Sequence, residues 1–193
     1  MTRDELIDLF RRSGGLLEGH FRLSSGLHST GYLQCALVLS DPPSAERLGR
    51  GVADRLRDLR PTVVLSPAMG GLIIGHEVGR ALGVRAIFAE RQDGVLTLRR
   101  GFSLSETDRV VIIEDVVTTG KSTKETMQVV TAAGATVIGA GSIVDRTGGA
   151  PIAGLVYADD AVRRSRRSSA PLVRARSRHA AVPRMDSPDT VKA

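Results

Sequence analysis

The sequence predicts an α/β fold, a parallel central sheet with helices on both faces. Three observations carry it: apolar runs without polar alternation recur along the chain, one helical stretch separates each from the next, and the unusual polar residues follow the apolar runs. In 44–59, Leu48, Val52, Leu56 and Leu59 share one helical face, and Pro61 stops the helix before the strand Val63, Val64, Leu65. The pattern then repeats, with a helix over 71–82, Gly83 behind it, and a strand over 84–88. A third apolar run, Val110 to Ile113, leads into a helix over 121–133. Gly134 suits the left-handed residue that closes such a helix, and 136–144 reads as the next strand. In sheets of this kind ligands sit beyond the carboxyl ends of the strands, so the chemistry is expected just after each apolar run.

A chain of 193 residues is ample for one buried core, and 41% hydrophobic content fits a globular protein. No apolar run approaches the roughly 20 residues a membrane span needs, and the start, Met1, Thr2, Arg3, Asp4, Glu5, carries no secretory signal. A cytoplasmic protein without membrane contact is expected. The lone Cys35, between Gln34 and Ala36, reads as a small core residue. The net charge of +6 is unevenly spread. Residues 161–193 hold nine Lys or Arg against two Asp, whereas 1–160 hold 18 basic and 19 acidic residues. The body, 1–160, is therefore nearly neutral, and 161–193 form a basic tail rich in Arg, Ser, Ala and Pro without helical or strand period, expected to be disordered. It lacks aromatic residues to stack on bases, so nucleic acid is not the expected partner.

The most informative segment follows the third apolar run: Glu114, Asp115, Val116, Val117, Thr118, Thr119, Gly120, Lys121, Ser122, Thr123. Thr118 to Ser122 form a hydroxyl-rich turn entering a helix, where free amides and the helix dipole favour a phosphate, and Gly120 lets the backbone come close. Two carboxylates would repel a phosphate but suit the vicinal hydroxyls of a ribose. Together they describe a ribose 5-phosphate. Gly120, Lys121, Ser122 match the end of a Walker A loop, but Asp115 stands where its first glycine is required. No strand end carries a dinucleotide Gly-x-Gly-x-x-Gly spacing.

The stretch Val110 to Thr123 resembles the signature of the type I phosphoribosyltransferases, which use phosphoribosyl pyrophosphate (PRPP). Three further stretches resemble the orotate phosphoribosyltransferases among them: Glu18, Gly19, His20, Phe21, Arg22, Leu23, Ser24, Ser25, Gly26, Leu27, His28, Ser29 with Tyr32; Ser66, Pro67, Ala68, Met69, Gly70, Gly71 with Ala89, Glu90, Arg91; and Val144, Asp145, Arg146. The resemblance implies that family's fold, with a small hood over residues 1–40. It implies transfer of ribose 5-phosphate from PRPP to orotate, giving orotidine 5′-monophosphate and pyrophosphate, with Mg2+ held mainly through the substrate, and a homodimer. It further implies PRPP binding by Arg91 and by Glu114, Asp115, Val116, Val117, Thr118, Thr119, Gly120, Lys121 and Ser122. Glu114, Asp115 and Arg91 would be catalytic, Thr118 and Arg146 would bind orotate, and Ala68, Met69 and Gly70 would form the pyrophosphate loop. No protein metal cage is expected, and His20 and His28 read as hood residues. A uracil or purine enzyme of the same family and a non-catalytic PRPP-binding regulator stay open.

The sequence departs from the family twice. The segment Gln92 to Gly101, where many relatives carry a mobile loop with lysines and a histidine, has neither, leaving Arg91, Arg99 and Arg100 as its cations. After Arg146 the family's apolar segments give way to the basic tail, which points to a reading frame altered past about Gly149; resequencing the gene tests this.

Overall fold

A computed structural model describes residues 1–22 and 28–146. It opens with α1 (Arg3–Arg12), begun by a capping box in which the Glu5 amide donates to Thr2 Oγ1 (3.3 Å) and the Thr2 amide to Glu5 Oε2 (2.7 Å). Strands β1 (Leu16–Arg22) and β2 (His28–Leu33) pair antiparallel, apart from the central sheet, in the stretch where the hood is expected. Then α2 (Cys35–Leu39) returns the chain to the core, and Leu6, Leu9 and Phe10 of α1 join Cys35, Val38 and Leu39 in one apolar cluster.

The first long helix, α3 (Pro42–Leu56), starts two residues earlier than the apolar spacing predicts, because the Asp41 carboxylate accepts from the Ser44 amide (3.1 Å) and proline is favoured in a helix's first turn. It gives way to one 3-10 turn, Arg57–Leu59, and to Arg60 at φ 52°. The remaining elements are β3 (Val63–Pro67), α4 (Gly71–Leu82), β4 (Arg85–Gln92), β5 (Val95–Leu98), β6 (Arg109–Val117), α5 (Lys121–Ala132) and β7 (Thr136–Asp145). The sheet order is β5-β4-β3-β6-β7, with β4, β3, β6 and β7 parallel and β5 antiparallel at the edge.

The absence of polar alternation in the strands has the physical cause the sequence suggests, since both faces are covered. Val64, Val111 and Ile113 pack with Leu48, Val52, Ile74 and Val78 of α3 and α4; Val63, Leu65, Val110 and Ile87 pack on the other face with Val130 of α5. Helices α3 and α4 touch closely, because a Cβ on Gly49 would stand 2.5 Å from Glu77 Cβ. Gly134 takes the expected left-handed angle, φ 79°.

Two expected boundaries are corrected. The strand expected over 84–88 runs to Gln92, and the segment expected as a loop folds back as β5 through Asp93 (φ 50°) and Gly94 (φ 84°), an Asp-Gly hairpin turn whose twist matches its strands. The strand expected to end at Ile113 continues through the acids, with Glu114 paired to Ser142 and Val117 to Asp145. No helix among the described residues is long and apolar enough to cross a membrane. The tail at 161–193, the domain end at 160, the frame change past Gly149, and Leu23, Ser24, Ser25, Gly26 and Leu27 lie outside the described residues.

Candidate active site at the carboxyl edge of the sheet

Four parallel strands bring their carboxyl ends to one edge, and the β3–α4 and β6–α5 turns leave it side by side. In the first turn the Ala68 amide donates to the Ala89 carbonyl (2.8 Å), the Ala68–Met69 peptide is cis, and the Met69 side chain is 79% exposed. Gly70 has helical angles (φ −57°), so its glycine serves space and not backbone freedom. A Cβ there would lie 2.6 Å from Asp115 Oδ1. The expected pyrophosphate loop thus stands directly against one of the two signature acids.

Successive strand residues point to opposite faces, and the acids obey this. Asp115 faces α4, with Gly70 in front of it and the buried Cys35 beneath, whose Sγ lies 3.9 Å from the Asp115 carbonyl oxygen. Glu114 faces α5 and is 7% exposed, accepting from Thr123 Oγ1. Burial pushes the Glu114 carboxyl up to about 7, opposed by the Thr123 hydrogen bond and reinforced by the neighbouring Asp115 charge. Burial also raises Asp115, against the Val116 amide that donates to its Oδ1 at 2.8 Å. Cys35 is 1% exposed and burial drives its thiol far above its ordinary range, so it is an inert core residue.

Beyond the acids, Val116 and Val117 belong to β6, Thr118 and Thr119 are exposed, and buried Gly120 turns the chain at φ 70° into α5. The Lys121 amide donates to Thr119 Oγ1 at 3.3 Å, and among the described residues the amides of Thr119 and Gly120 have no protein acceptor. Such an end favours an anion. Lys121 is exposed, with its Nζ 3.8 Å from Glu125, and Ser122 is half-buried. At the end of β7 the Arg146 amide donates to the Val117 carbonyl at 2.8 Å, which seats half-buried Arg146 beside Thr118. Those two residues, 28 apart in sequence, are thereby brought together.

The three loop arginines divide. Arg91 donates to the Gly94 carbonyl (2.8 Å) and to Glu125 Oε2 on α5 (2.5 Å). Arg100 grips Glu90 with two hydrogen bonds, 2.6 and 2.9 Å, and lies 6.0 Å from the Phe88 ring centre. Arg99 makes no hydrogen bond or ion pair through its side chain among the described residues. Among those residues no three His, Cys, Asp or Glu side chains gather at metal-binding spacing, and His20 is exposed. Thr123, Glu125 and the Gly70–Asp115 approach were not singled out from sequence. Only Glu125 had a signal, its i, i+4 spacing from Lys121.

Comparison with known proteins gives the family. Residues 38–151 match the phosphoribosyl transferase domain. An orotate phosphoribosyltransferase of Pelotomaculum thermopropionicum is 55% identical over 150 residues, covering 78% of this chain and 79% of that protein. Another, of Novosphingobium aromaticivorans, is 53% identical over 160 residues, covering 81% and 82%. Among solved structures, the Mycobacterium tuberculosis orotate phosphoribosyltransferase in complex with inorganic phosphate aligns with a TM-score of 0.66 at 26% identity, covering 80% of this chain and 92% of that one. With the domain match spanning more than half of the chain and two relatives above half identity, the chain belongs to the orotate phosphoribosyltransferases.

Proposed function

We propose that this chain transfers ribose 5-phosphate from PRPP to orotate at the edge where the β3–α4 and β6–α5 turns meet, giving orotidine 5′-monophosphate and pyrophosphate. The observation that carries the site assignment is the Asp115 carboxylate packed on Gly70, which sets the sugar-binding acids against a backbone turn free to take a diphosphate. In this reading Thr118, Thr119, Gly120, Lys121 and Ser122 hold the 5-phosphate, with Val116 and Val117 as the strand that presents them. Glu114 and Asp115 reach the ribose hydroxyls from opposite sides of the strand end. Ala68, Met69 and Gly70 meet the diphosphate through backbone. Arg146 reads the orotate carboxylate with its guanidinium fork, beside Thr118. This arginine favours orotate over a base that has no carboxylate.

Little covalent work falls to the protein. As the bond from C1 to the diphosphate loosens, positive charge grows on the sugar, and the acids at the strand end stand where they stabilise it. The donors there are all oxygen, which suits Mg2+, and Asp115 is the carboxylate that would face the ion, its other positions being left to substrate oxygens. When bound, that ion neutralises the departing diphosphate. Arg91 contributes positive charge from the hairpin. The reading also takes a homodimer from the family resemblance, and from the sequence a cytoplasmic location and no nucleic-acid partner.

The test is loss of orotate absorbance on mixing the protein with PRPP, orotate and Mg2+. Turnover in the parent, reduced on the order of 10²-fold in Asp115→Asn, is the expected result. Saturable PRPP binding without turnover would make the chain a regulator, and turnover with uracil or a purine alone would make it a sister enzyme.

A further inference from the structure

Each signature acid has one oxygen held by the protein. Asp115 Oδ1 accepts from the Val116 amide, a partner that the strand itself supplies. Glu114 Oε1 accepts from Thr123 Oγ1, nine residues on and in another element. Thr123 is the third residue of α5, on the helix face turned to the sheet and 1% exposed, and its hydroxyl donates to Glu114. Glu114 is itself buried, so its carboxylate carries a desolvation cost that this one donor offsets. The same helix opens the phosphate turn, so its end and the Glu114 side chain are joined by one hydrogen bond.

We infer that Thr123 is a positioning residue for the ribose: it pins Glu114 Oε1, leaves Oε2 for a sugar hydroxyl, and sets the span between that hydroxyl and the 5-phosphate. The inference rests on the proposed reading of Glu114 as a ribose ligand. Positioning through a charged hydrogen bond acts on binding of the sugar and leaves the anion turn alone. Without the Thr123 donor, Glu114 Oε1 is no longer pinned, and the sugar hydroxyl loses a fixed acceptor.

The experiment compares ribose 5-phosphate with inorganic phosphate as ligands, by calorimetric titration of the full chain. Thr123→Val, close in shape but without a donor, should weaken ribose 5-phosphate about tenfold while leaving inorganic phosphate unchanged. Thr123→Ser should recover most of the loss, and Thr123→Ala repeats the comparison if the valine packs badly. In turnover, KM for PRPP rises in Thr123→Val and KM for orotate does not. Equal weakening of both ligands, or none, overturns the inference, because a merely structural role moves them together. A parent protein that does not prefer ribose 5-phosphate to phosphate overturns the acid assignment itself, and with it this inference.

Discussion

The β3–α4 and β6–α5 turns hold the same place in the fold, each at the carboxyl end of a central parallel strand and each opening a 12-residue helix. Their chemistry differs in every other respect. The first offers Ala68, Met69 and Gly70, whose only polar groups are backbone, and its key residue is a glycine required for room. The second offers two acids, three hydroxyls and a lysine, and its glycine is required for a positive φ. Side chains can recognise a sugar's hydroxyls but would crowd a diphosphate lying between two turns. A backbone turn leaves that space, and an acid from its neighbour marks the boundary. The lesson is that the site is shared between turns: Asp115 belongs to one by sequence and limits the other by contact.

The largest effect that sharpens this contrast is the cost of burying an acid in the side-chain turn. The Glu114 pKa of about 7 lies above its ordinary 4.5, so between those values the folded chain keeps a proton that the unfolded chain gives up. The stability Glu114 contributes is therefore full below 4.5, falls as pH rises toward 7, and stays low above it. Glu114→Gln removes this dependence and should be more stable than the parent by roughly 2–3 kcal/mol at pH 8, with little difference at acid pH, while losing activity. Urea midpoints across that range check it, and parallel curves would break the claim.

Next comes the backbone turn. Gly70→Ala places a methyl against the Asp115 carboxylate and should raise KM for PRPP about tenfold through displacement of that acid. Gly94→Ala is the matching control at the hairpin tip: φ is 84° there and nothing lies within 4 Å, so it should cost about 1 kcal/mol of stability and leave KM alone. Equal KM effects in both would show that the Gly70 effect does not come from its contact with Asp115.

The elements with periodic patterns were legible in advance. The α4 helix has the bounds its spacing predicts, Gly71–Leu82, and β7 passes its expected end by one residue, because apolar period and glycine stops are local properties. The β4–β5 hairpin is also written locally, in Asp93 and Gly94 between apolar runs. The site was legible in its residue types and not in its contacts. That Glu114 meets Thr123 while Asp115 meets Gly70 follows from strand alternation once β6 is known to run through the acids, and that extension depends on pairing with β7. The approach of Gly70 to Asp115, 45 residues away, has no sequence period at all.

The smallest expected effect concerns the hairpin beside the two turns, where the sequence offers Arg99 and Arg100 as cations besides Arg91. Arg100 is held by Glu90 and Arg91 by Glu125, whereas the Arg99 guanidinium makes no hydrogen bond among the described residues and acts on Glu90 through its charge alone. A cation gripped by a carboxylate at hydrogen-bond distance gives a diphosphate less net charge while that pair is closed, and an exposed one coupled to a carboxylate only at longer range keeps more of its long-range pull. Arg99→Gln should therefore raise KM for PRPP about threefold at low salt, with the difference shrinking as ionic strength rises. Arg100→Gln, whose ion pair is solvent-exposed, should leave KM unchanged and Tm close to the parent's. The reverse ranking would mean that Glu90 releases Arg100 when substrate arrives, and that the ion pair is a resting position for the working cation.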